Sequence, residues 1–568
     1  MKVSAQQWMR IEGWLYNQET KEPLAYASIY NKSTQKGTLT NLDGFFAINI
    51  SNPSDTIQVS FVGYKTLARL ELHVGQTSYK IYLEENKQLL SEVVVRPNDN
   101  SYLFDLIAQC KKKATNTKAK SKAYYELKSY RNDTQVELVE AFYNLDLEGY
   151  ELKDMTMKTG RLALQPYHER LFGSMESSRA ITMFKLLKSN NYFPNNPMEL
   201  SSKELRKHFY LRLDKKYLNE TSDSVYVLSF EPKKDKSNFF EGTVWIDKSN
   251  LRFLKVNLLC DSTSKHPFMP LFPSDQIETV SFDITQAFLT TQSSTFFNHI
   301  DFIYSINYKS RQGEGHEQAY SVTTKAVLHA YDFDKLFFEP TFDRRQKNIG
   351  DYRKINAMPY NDFFWQSNNE FRLGGSEQAN EKFYSDTISI TNKSIFSANS
   401  TLGSKLFHHP YAVWSSEKRI SLREIKSDTT RNSRDIRTAQ ERYNLDVELY
   451  LDVNFYGDSM QIITATVFDP YDSFYDLPMD NKTVCFINLF FDLCEIERRK
   501  FHDSLTKQRF SEAAVTDKYR AFLVTYRQQQ YTYIKLLDRG TNEKEMKRWN
   551  AYVIEQLGID NISAFNPF

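Results

Sequence analysis

EGWLYNQETKEPLAYASIYNKSTQKGTLTNLDGFFAINI, residues 12–50, is the stretch that determines the fold we predict for the N-terminal part of the chain. Short runs of β-branched and aromatic residues alternate in it with glycine, asparagine and aspartate, which favour turns. With the similar runs that continue to Leu83, they predict about six short strands, a spacing typical of a β-sandwich. Asp43-Gly44 lies between Thr38–Thr40 and Phe45–Ile48, and an Asp-Gly pair favours a type I′ hairpin, so we predict a tight hairpin there.

From about residue 10 to residue 85, the sequence resembles the carboxypeptidase-like regulatory domain. The landmark residues of this resemblance are Gly13, Pro23, Asp43, Gly44, Gly63 and Tyr64. The resemblance implies a transthyretin-like sandwich of seven strands. It also implies export, because in Bacteroidota such domains precede many exported proteins, including TonB-dependent outer-membrane receptors. The family typically ends with LSEVVV, which stands here as Leu90–Val95. In a receptor a plug would follow, but here a lysine-rich helix follows, which disfavours a receptor.

The composition argues against several classes of protein. A chain of 568 residues predicts about three or four domains. Its net charge of +2 provides no positive field, so we do not expect a nucleic-acid partner. The four cysteines form no CxxC pair, which argues against a zinc cluster and a dense disulfide framework. No apolar run is long enough to predict a transmembrane helix. We interpret residues 1–9 as a residual leader, since Val3-Ser4-Ala5 resembles a cleavage site; an ordinary polar start is the alternative.

The middle of the chain predicts a helix followed by a large sheet. Residues 97–122 predict a helix and a basic linker whose lysines could contact anionic lipid headgroups or an acidic partner, although a solvated helix end explains them more simply. Residues 123–345 predict an antiparallel sheet domain, and the alternation around Trp245 predicts one face toward a core and the other toward water. Segments such as EGTVWID resemble uncharacterised Bacteroidota envelope proteins whose sheet region is similar to the half-barrels of periplasmic lipid and lipoprotein carriers. That resemblance implies a concave apolar cavity.

Residues 346–443 predict an aromatic and polar connecting segment. Its aromatic residues could stack on sugars or anchor a partner if they are exposed, whereas buried rings that cover an open end of the sheet are the more frequent arrangement. These possible binding aromatics are Tyr352, Tyr360, Phe363, Phe364 and Trp365.

Residues 444–568 predict a β-hairpin followed by a helical domain. Two alternating runs flank Gly457-Asp458, a hairpin signal, and three amphipathic segments follow. In the first of them Asp492, Glu495, Arg499 and His502 share one helix face, which makes Asp492, Glu495 and His502 weak candidates for metal ligands. Pairing of the acids with Arg498 and Arg499 is the favoured alternative.

We find no recognisable catalytic motif. His316-Glu317 begins an incomplete His-Glu-x-x-His pattern that ends in tyrosine, the pair His408-His409 stands alone, and neither a nucleophile elbow nor a phosphate-binding loop occurs. We therefore expect no catalytic residues and no cofactor.

Together these patterns predict a mainly β multidomain protein: a transthyretin-like sandwich (10–96), a central antiparallel sheet or half-barrel (123–345), and an α+β region ending in helices (444–568). We expect a non-enzymatic binding or scaffold protein that is exported to the periplasm or outer membrane. Its partner would be an envelope protein, a lipid or a glycan, and the protein would be either soluble or peripherally attached to a membrane. The alternatives are a metal-dependent hydrolase with an unfamiliar site and a periplasmic lipid or lipoprotein carrier.

Overall fold

A computed structural model describes most of the chain, and the structural statements below concern those residues. They are 9–25, 27–34, 36–40, 44–61, 63–86, 100–166, 177–218, 224–270, 273–290, 294–310, 318–333, 336–341, 350–368, 377–389, 411–421, 443–456, 459–469, 473–475 and 480–568. Six features of the sequence analysis lie outside the described residues: the leader apart from Met9, Asp43, the LSEVVV segment, His316-Glu317, His408-His409 and Gly457-Asp458. The chain divides into two compact units, Met1–Phe337 with Tyr360–Gly403, and Phe338–Pro359 with Ser404–Phe568.

The first unit begins with the expected sandwich. Its strands are β1 (Met9–Asn17), β2 (Ser28–Asn31), β3 (Lys36–Leu39), β4 (Phe45–Ile50), β5 (Ile57–Ser60), β6 (Leu67–Leu70) and β7 (Ser78–Leu83). They form two sheets, in the orders β4-β1-β7 and β3-β2-β5-β6. Alternate residues of β1 and β7 are buried in a shared apolar core, as the period of two in their sequences requires. The predicted sandwich is confirmed.

The hairpin predicted at Asp43-Gly44 is wrong. β3 pairs with β2, whereas β4 pairs with β1 in the other sheet, so this connection passes from one sheet to the other. Gly44 has a φ of +72°, and a Cβ on it would lie 2.4 Å from the carbonyl oxygen of Leu15. The glycine is therefore needed for a left-handed backbone that approaches β1 closely, which is a different use of the same turn signal.

A sheet of eleven strands makes up most of the first unit. Its strands are β8 (Lys118–Arg131), β9 (Thr134–Glu148), β10 (Glu151–Leu164), β11 (Phe209–Leu218), β12 (Ser224–Pro232), β13 (Glu241–Asp247), β14 (Arg252–Thr263), β15 (Gln276–Thr290), β16 (Thr295–Ser310), β17 (Gln318–Tyr331) and β18 (Ile388–Ser389). The order is β11-β12-β13-β14-β15-β16-β17-β8-β9-β10-β18, and every neighbouring pair is antiparallel. The predicted mainly β fold with a large antiparallel sheet is confirmed.

Short helices accompany this sheet: α1 (Ser101–Lys113), α2 (Ser177–Met183) and α3 (Ser202–His208). The structure differs from the predicted basic linker, because the lysines from Lys118 onward belong to β8. Two of them face acids, since Lys120 pairs with Asp146 at 3.1 Å and Lys122 with Asp332 at 3.3 Å. These lysines are therefore already matched by carboxylates.

The predicted connecting segment also contains regular structure. α4 (Asp351–Ala357) belongs to the second unit, whereas α5 (Asp362–Ser367) and α6 (Glu377–Asp386) belong to the first. The last of these leads into β18, which pairs with the end of β10. Part of the region between the predicted domains is thus built into the large sheet.

The second unit joins small sheets to a helical region. β19 (Ala412–Val413), β21 (Val447–Tyr456) and β22 (Ser459–Phe468) form one sheet, and β20 (Tyr443–Asn444) pairs with β23 (Phe474–Tyr475). Tyr456 pairs with Ser459, which confirms the hairpin predicted at Gly457-Asp458. The helices are α7 (Asn481–Thr506), α8 (Glu512–Leu537), α9 (Glu543–Leu557) and α10 (Asn561–Phe565).

α7 is the central helix of the second unit. The side chain of Asp480 accepts a hydrogen bond from the amide of Thr483 and caps its first turn. Its first half is buried on all sides against β22 and the other three helices. A helix that is apolar all round belongs in a core. None of the described helices is long and apolar enough to cross a membrane.

Candidate functional site

One face of the large sheet, here called the aromatic face, carries Val280, Phe282, Ile284, Phe302 and Tyr304. Cross-strand pairing places Phe282 beside Tyr304 and Ile284 beside Phe302 on this side of β15 and β16. A concave apolar cavity in this sheet is expected from the sequence, so what covers its apolar face decides what that face can bind.

Aromatic residues from outside the strands cover the aromatic face. The ring of Phe193 lies 5.5 Å from that of Phe282 and 6.1 Å from that of Phe302, and the ring of Phe268 lies 4.5 Å from that of Tyr304. The two covering rings, Phe193 and Phe268, and the three sheet rings that they contact are each at most 5% exposed. A void wide enough for an acyl chain would leave part of them accessible, so this part of the sheet is a packed core.

The opposite face, here called the polar face, carries charged residues that face neither water nor an apolar core. Glu126 lies across the strands from Glu140, and Glu140 lies across from Arg161, so all three are on one side of β8, β9 and β10. The sequence prediction of one buried and one water-facing side rests on β13, where Val244 and Ile246 are buried and Thr243 and Trp245 are partly exposed, but on β8, β9 and β10 it does not hold, because both sides are covered. Glu126, Glu140 and Arg161 are all buried.

Arg161 is the centre of an ion-pair cluster, which we define as Glu126, Lys128, Glu140, Arg161 and Glu381. Its Nε donates to Glu140 at 2.8 Å, and its NH1 group donates to Glu381 of α6 at 2.9 Å. Lys128 pairs with Glu126 at 3.1 Å. Every charged group of the cluster is thus paired with a group of opposite charge. Charged side chains can be buried at a tolerable cost only when they are paired in this way.

Aromatic rings and amides complete the enclosure of the cluster. The guanidinium of Arg161 lies 4.5 Å from the ring of Trp365 and 4.3 Å from the ring of Tyr384. The hydroxyl of Tyr124 donates to Glu140 at 2.7 Å, and the amide of Asn380 donates to Glu126 at 3.1 Å. α5 and α6 therefore cover the cluster on the side away from the sheet.

Burial and neighbouring charges shift the pKa values of this cluster. Burial raises the pKa of Glu126, and the carboxylate of Glu140 adds to that effect while Lys128 opposes it. Burial alone would lower the pKa of Arg161, but Glu140 and the other acidic groups around it hold that pKa well above its usual value. Shifted carboxyl groups are common at active sites, yet here they are enclosed and turned toward each other.

A pair of histidines occupies the same face farther along the sheet. His299 and His329 are cross-strand partners on β16 and β17, and their ring centroids are 6.1 Å apart. The Nε2 atom of His299 lies 3.3 Å from a carboxylate oxygen of Asp301. Burial lowers the pKa of His329 to about 3. In the described part of the chain, no three histidine, cysteine or acidic residues are arranged to hold a metal ion.

The sandwich packs on the polar face. Leu39 of β3 lies in one apolar cluster with Tyr124, Phe142 and Tyr331 of the large sheet. The ring of Phe61 lies 5.4 Å from the ammonium group of Lys255. The N-terminal module is therefore part of the covering of this face.

The structure places the three weak metal candidates of α7 in separate contacts. Asp492 accepts hydrogen bonds from groups outside the predicted set: Arg419 at 2.8 and 2.6 Å, Trp414 at 2.8 Å and Asn561 at 2.7 Å. Such contacts occupy both of its oxygens, which leaves little lone-pair capacity for a cation.

The other two candidates lie one and three turns farther along α7. Glu495 accepts from Arg498 at 2.7 Å and from Arg499 at 2.9 Å, as the salt-bridge alternative requires. The Nδ1 atom of His502 lies 3.0 Å from the hydroxyl of Thr464. The structure therefore gives each of the three candidates its own protein partners.

The candidate binding aromatics are divided between the two units and differ in their exposure. Tyr352 belongs to the second unit, whereas the other four belong to the first. Phe364 and Trp365 are buried beside Phe142, and Tyr360 packs against the same cluster. Of the five, Phe363 alone is mostly exposed, at 51%. Stacking of a partner on Phe364 or Trp365 is therefore excluded in this conformation.

The fold defines the class of the first unit: a small β-sandwich packed on a large antiparallel sheet. The sequence comparison specifies the sandwich, because residues 11–95 match the family model described as CarboxypepD_reg-like domain. The chain thus contains a carboxypeptidase-like regulatory domain. No curated protein matches the chain.

Several solved structures show a distant likeness to part of the chain. A putative outer membrane lipoprotein-sorting protein domain from Vibrio parahaemolyticus is 13% identical, with a TM-score of 0.18, over 44% of this chain and 96% of that one. A LolA superfamily protein from Nitrosomonas europaea is 11% identical, with a TM-score of 0.16, over 40% and 91%. A putative membrane-associated protein of unknown function from Bacteroides fragilis is 8% identical, with a TM-score of 0.12, over 57% and 98%. Scores this low carry no weight for function.

Proposed function

We propose that the chain is a non-enzymatic binding or scaffold protein of the bacterial envelope that engages a protein, lipid or glycan partner through its outer surface. The envelope location rests on the N-terminal domain, since domains of this kind precede many exported proteins. The mode of binding rests on one observation, which is that other parts of the chain cover the large sheet on its aromatic face at β15 and β16 and on its polar face at β8, β9 and β10. An interior filled in this way leaves the surface for recognition.

The ion-pair cluster supports a structural role for its charged residues. Glu126, Glu140 and Arg161 are the kinds of residue that act in catalysis, but they are bonded to one another and lie under α5 and α6. A substrate would have to displace α6 and leave buried ions without partners, at a cost of several kcal/mol for each ion. Holding the covering helices to the sheet is the role that this geometry fits best.

The test starts from the full chain purified from its envelope fraction under mild conditions. Native mass spectrometry should give the mass of the polypeptide alone, and elemental analysis should find far less than one zinc per chain. A tagged chain should then retain a partner from detergent-extracted envelopes, and the purified partner should bind saturably in calorimetry. One lipid per chain that stays bound in detergent and high salt, and is therefore enclosed by the chain, would support the carrier alternative, and stoichiometric zinc with hydrolytic activity would support the metal-dependent hydrolase; either result would refute the proposal.

A further inference from the structure

The outward side of α8 has an unusual composition. Five residues, which we call the α8 outer face, follow one another at steps of four, three, four and four: Arg520, Val524, Arg527, Tyr531 and Lys535. This spacing aligns them along one side of a helix over about 22 Å. All five are exposed, and the two large apolar side chains among them, Val524 and Tyr531, are 70% and 68% exposed.

The opposite side of α8 explains why this face points outward. Val515, Tyr519, Tyr526, Tyr533 and Leu537 are buried against the rest of the unit. The orientation of the helix is thus fixed by its own core contacts. Val524 and Tyr531 remain outside that core, two turns apart, with a cation beside each of them.

The charges of the α8 outer face are poorly balanced. Asp517 approaches Arg520 at 3.9 Å with both side chains mostly exposed, which is a weak pair. Among the described residues, no carboxylate forms an ion pair with Arg527 or Lys535. α9 is different, because its Lys547 pairs with Glu543 at 2.6 Å. The balanced pattern of α9 suits water, whereas the cationic and aromatic pattern of α8 suits an anionic surface.

We propose that the α8 outer face lies on an anionic lipid surface. Charge complementarity selects this partner, since three cations would meet negative headgroups. Tyrosine is a residue of membrane interfaces, and the long stems of Arg527 and Lys535 allow their charges to reach the headgroups while Val524 and Tyr531 enter the boundary. The face is the convex side of one helix and offers no groove for the side chains of a protein. This inference rests on the proposed envelope location and names one partner class for it.

The test is co-sedimentation of the full chain with vesicles. The wild type should bind vesicles of phosphatidylglycerol and phosphatidylcholine, should not bind pure phosphatidylcholine, and should be released by high salt. The double variant Arg527→Gln with Lys535→Gln should bind about 25-fold more weakly, at about fivefold for each cation removed. Tyr531→Ser should weaken binding several-fold without changing its salt dependence.

The matched control is Lys544→Gln with Lys547→Gln, which removes the same charge from α9 and should leave binding almost unchanged. All substituted residues are exposed, and an unchanged thermal transition will verify folding. The proposal is overturned if the wild type does not bind anionic vesicles, or if both double variants lose the same affinity. It is also overturned if the α8 variants lose a protein from the envelope pull-down while vesicle binding persists. Retention of a protein partner without vesicle binding would contradict this inference and leave the proposed function standing.

Discussion

Acidification should weaken the part of the sheet that contains His329. Burial lowers the pKa of this histidine to about 3, whereas an unfolded histidine has a pKa near 6.5. Above pH 6.5 neither state binds the proton, so the stability is fully present. As the pH falls toward 3, His329 binds a proton in the unfolded state but not in the native state, so the free energy of unfolding decreases.

The expected size of the loss follows from the two pKa values. Between pH 7.0 and pH 5.5, His329 alone should reduce the free energy of opening by about 1.2 kcal/mol. Carboxyl groups with raised pKa values act in the opposite direction, among them Glu199, whose pKa burial raises to about 7. The prediction therefore concerns the difference between the wild type and His329→Gln, in which the contribution of the other groups cancels.

Hydrogen exchange of the β16 and β17 amides is the suitable measurement, because a chain of several domains does not unfold in one step. After correction for the intrinsic pH dependence of exchange, the opening free energy of the wild type should fall by about 1.2 kcal/mol more than that of His329→Gln. His73→Gln, at an exposed position, is the control and should behave as the wild type does. Equal pH dependence in the wild type and His329→Gln would show that His329 takes up its proton in the folded chain and would refute the argument.

Three further predictions test the packing. Phe193→Ala should cost about 3–5 kcal/mol of stability because it leaves a cavity, whereas Tyr192→Ala, at a half-exposed position, should cost less than about 0.5 kcal/mol. Limited proteolysis compares the two variants, and equal effects would contradict the packed aromatic face. Arg161→Met should cost about 3–5 kcal/mol by leaving Glu140 buried and unpaired, and adding Glu140→Gln should recover part of it; no recovery in thermal melts would argue against the ion pair. Burial raises the pKa of the Cys485 and Cys494 thiols to about 12, so at pH 8 a thiol reagent should label them only after denaturation. Rapid labelling of these thiols in the native chain would be inconsistent with a packed core around α7.

The sequence predicted those parts of the fold whose signals are local. Alternation in β1 and β7, the two-residue connection before Ser459 and the amphipathic repeat of α8 all act over a few residues, and each element is present. Asp43-Gly44 is the instructive failure. A dipeptide specifies a turn, but whether the strands on either side of it pair with each other depends on the sheet into which each one packs, and that is decided by distant contacts such as the one between Gly44 and Leu15.

Burial of Phe364 and Trp365 against the sheet is the arrangement that the sequence favoured, but the covering of the charged residues could not be predicted, for the same reason. A strand with alternating charged and apolar residues, such as β8 with Glu126 and Lys128, is ordinarily half-exposed. Nothing within β8 distinguishes a charge that faces water from a charge that faces a helix. Asn380, which bonds Glu126, lies 254 residues farther along the chain, and Glu381 lies 220 residues beyond its partner Arg161.

The burial of Arg161 depends on the helices that cover the sheet. Its side chain is 2% exposed, and a buried guanidinium without partners would cost several kcal/mol. Glu140 supplies one carboxylate from the sheet, but the second, Glu381, and the flanking rings of Trp365 and Tyr384 all come from α5 and α6. The sheet cannot keep Arg161 in this position unless both helices are docked. α5 and α6 are therefore structural parts of the sheet domain, although the aromatic and polar segment that contains them was predicted to be a connection between domains.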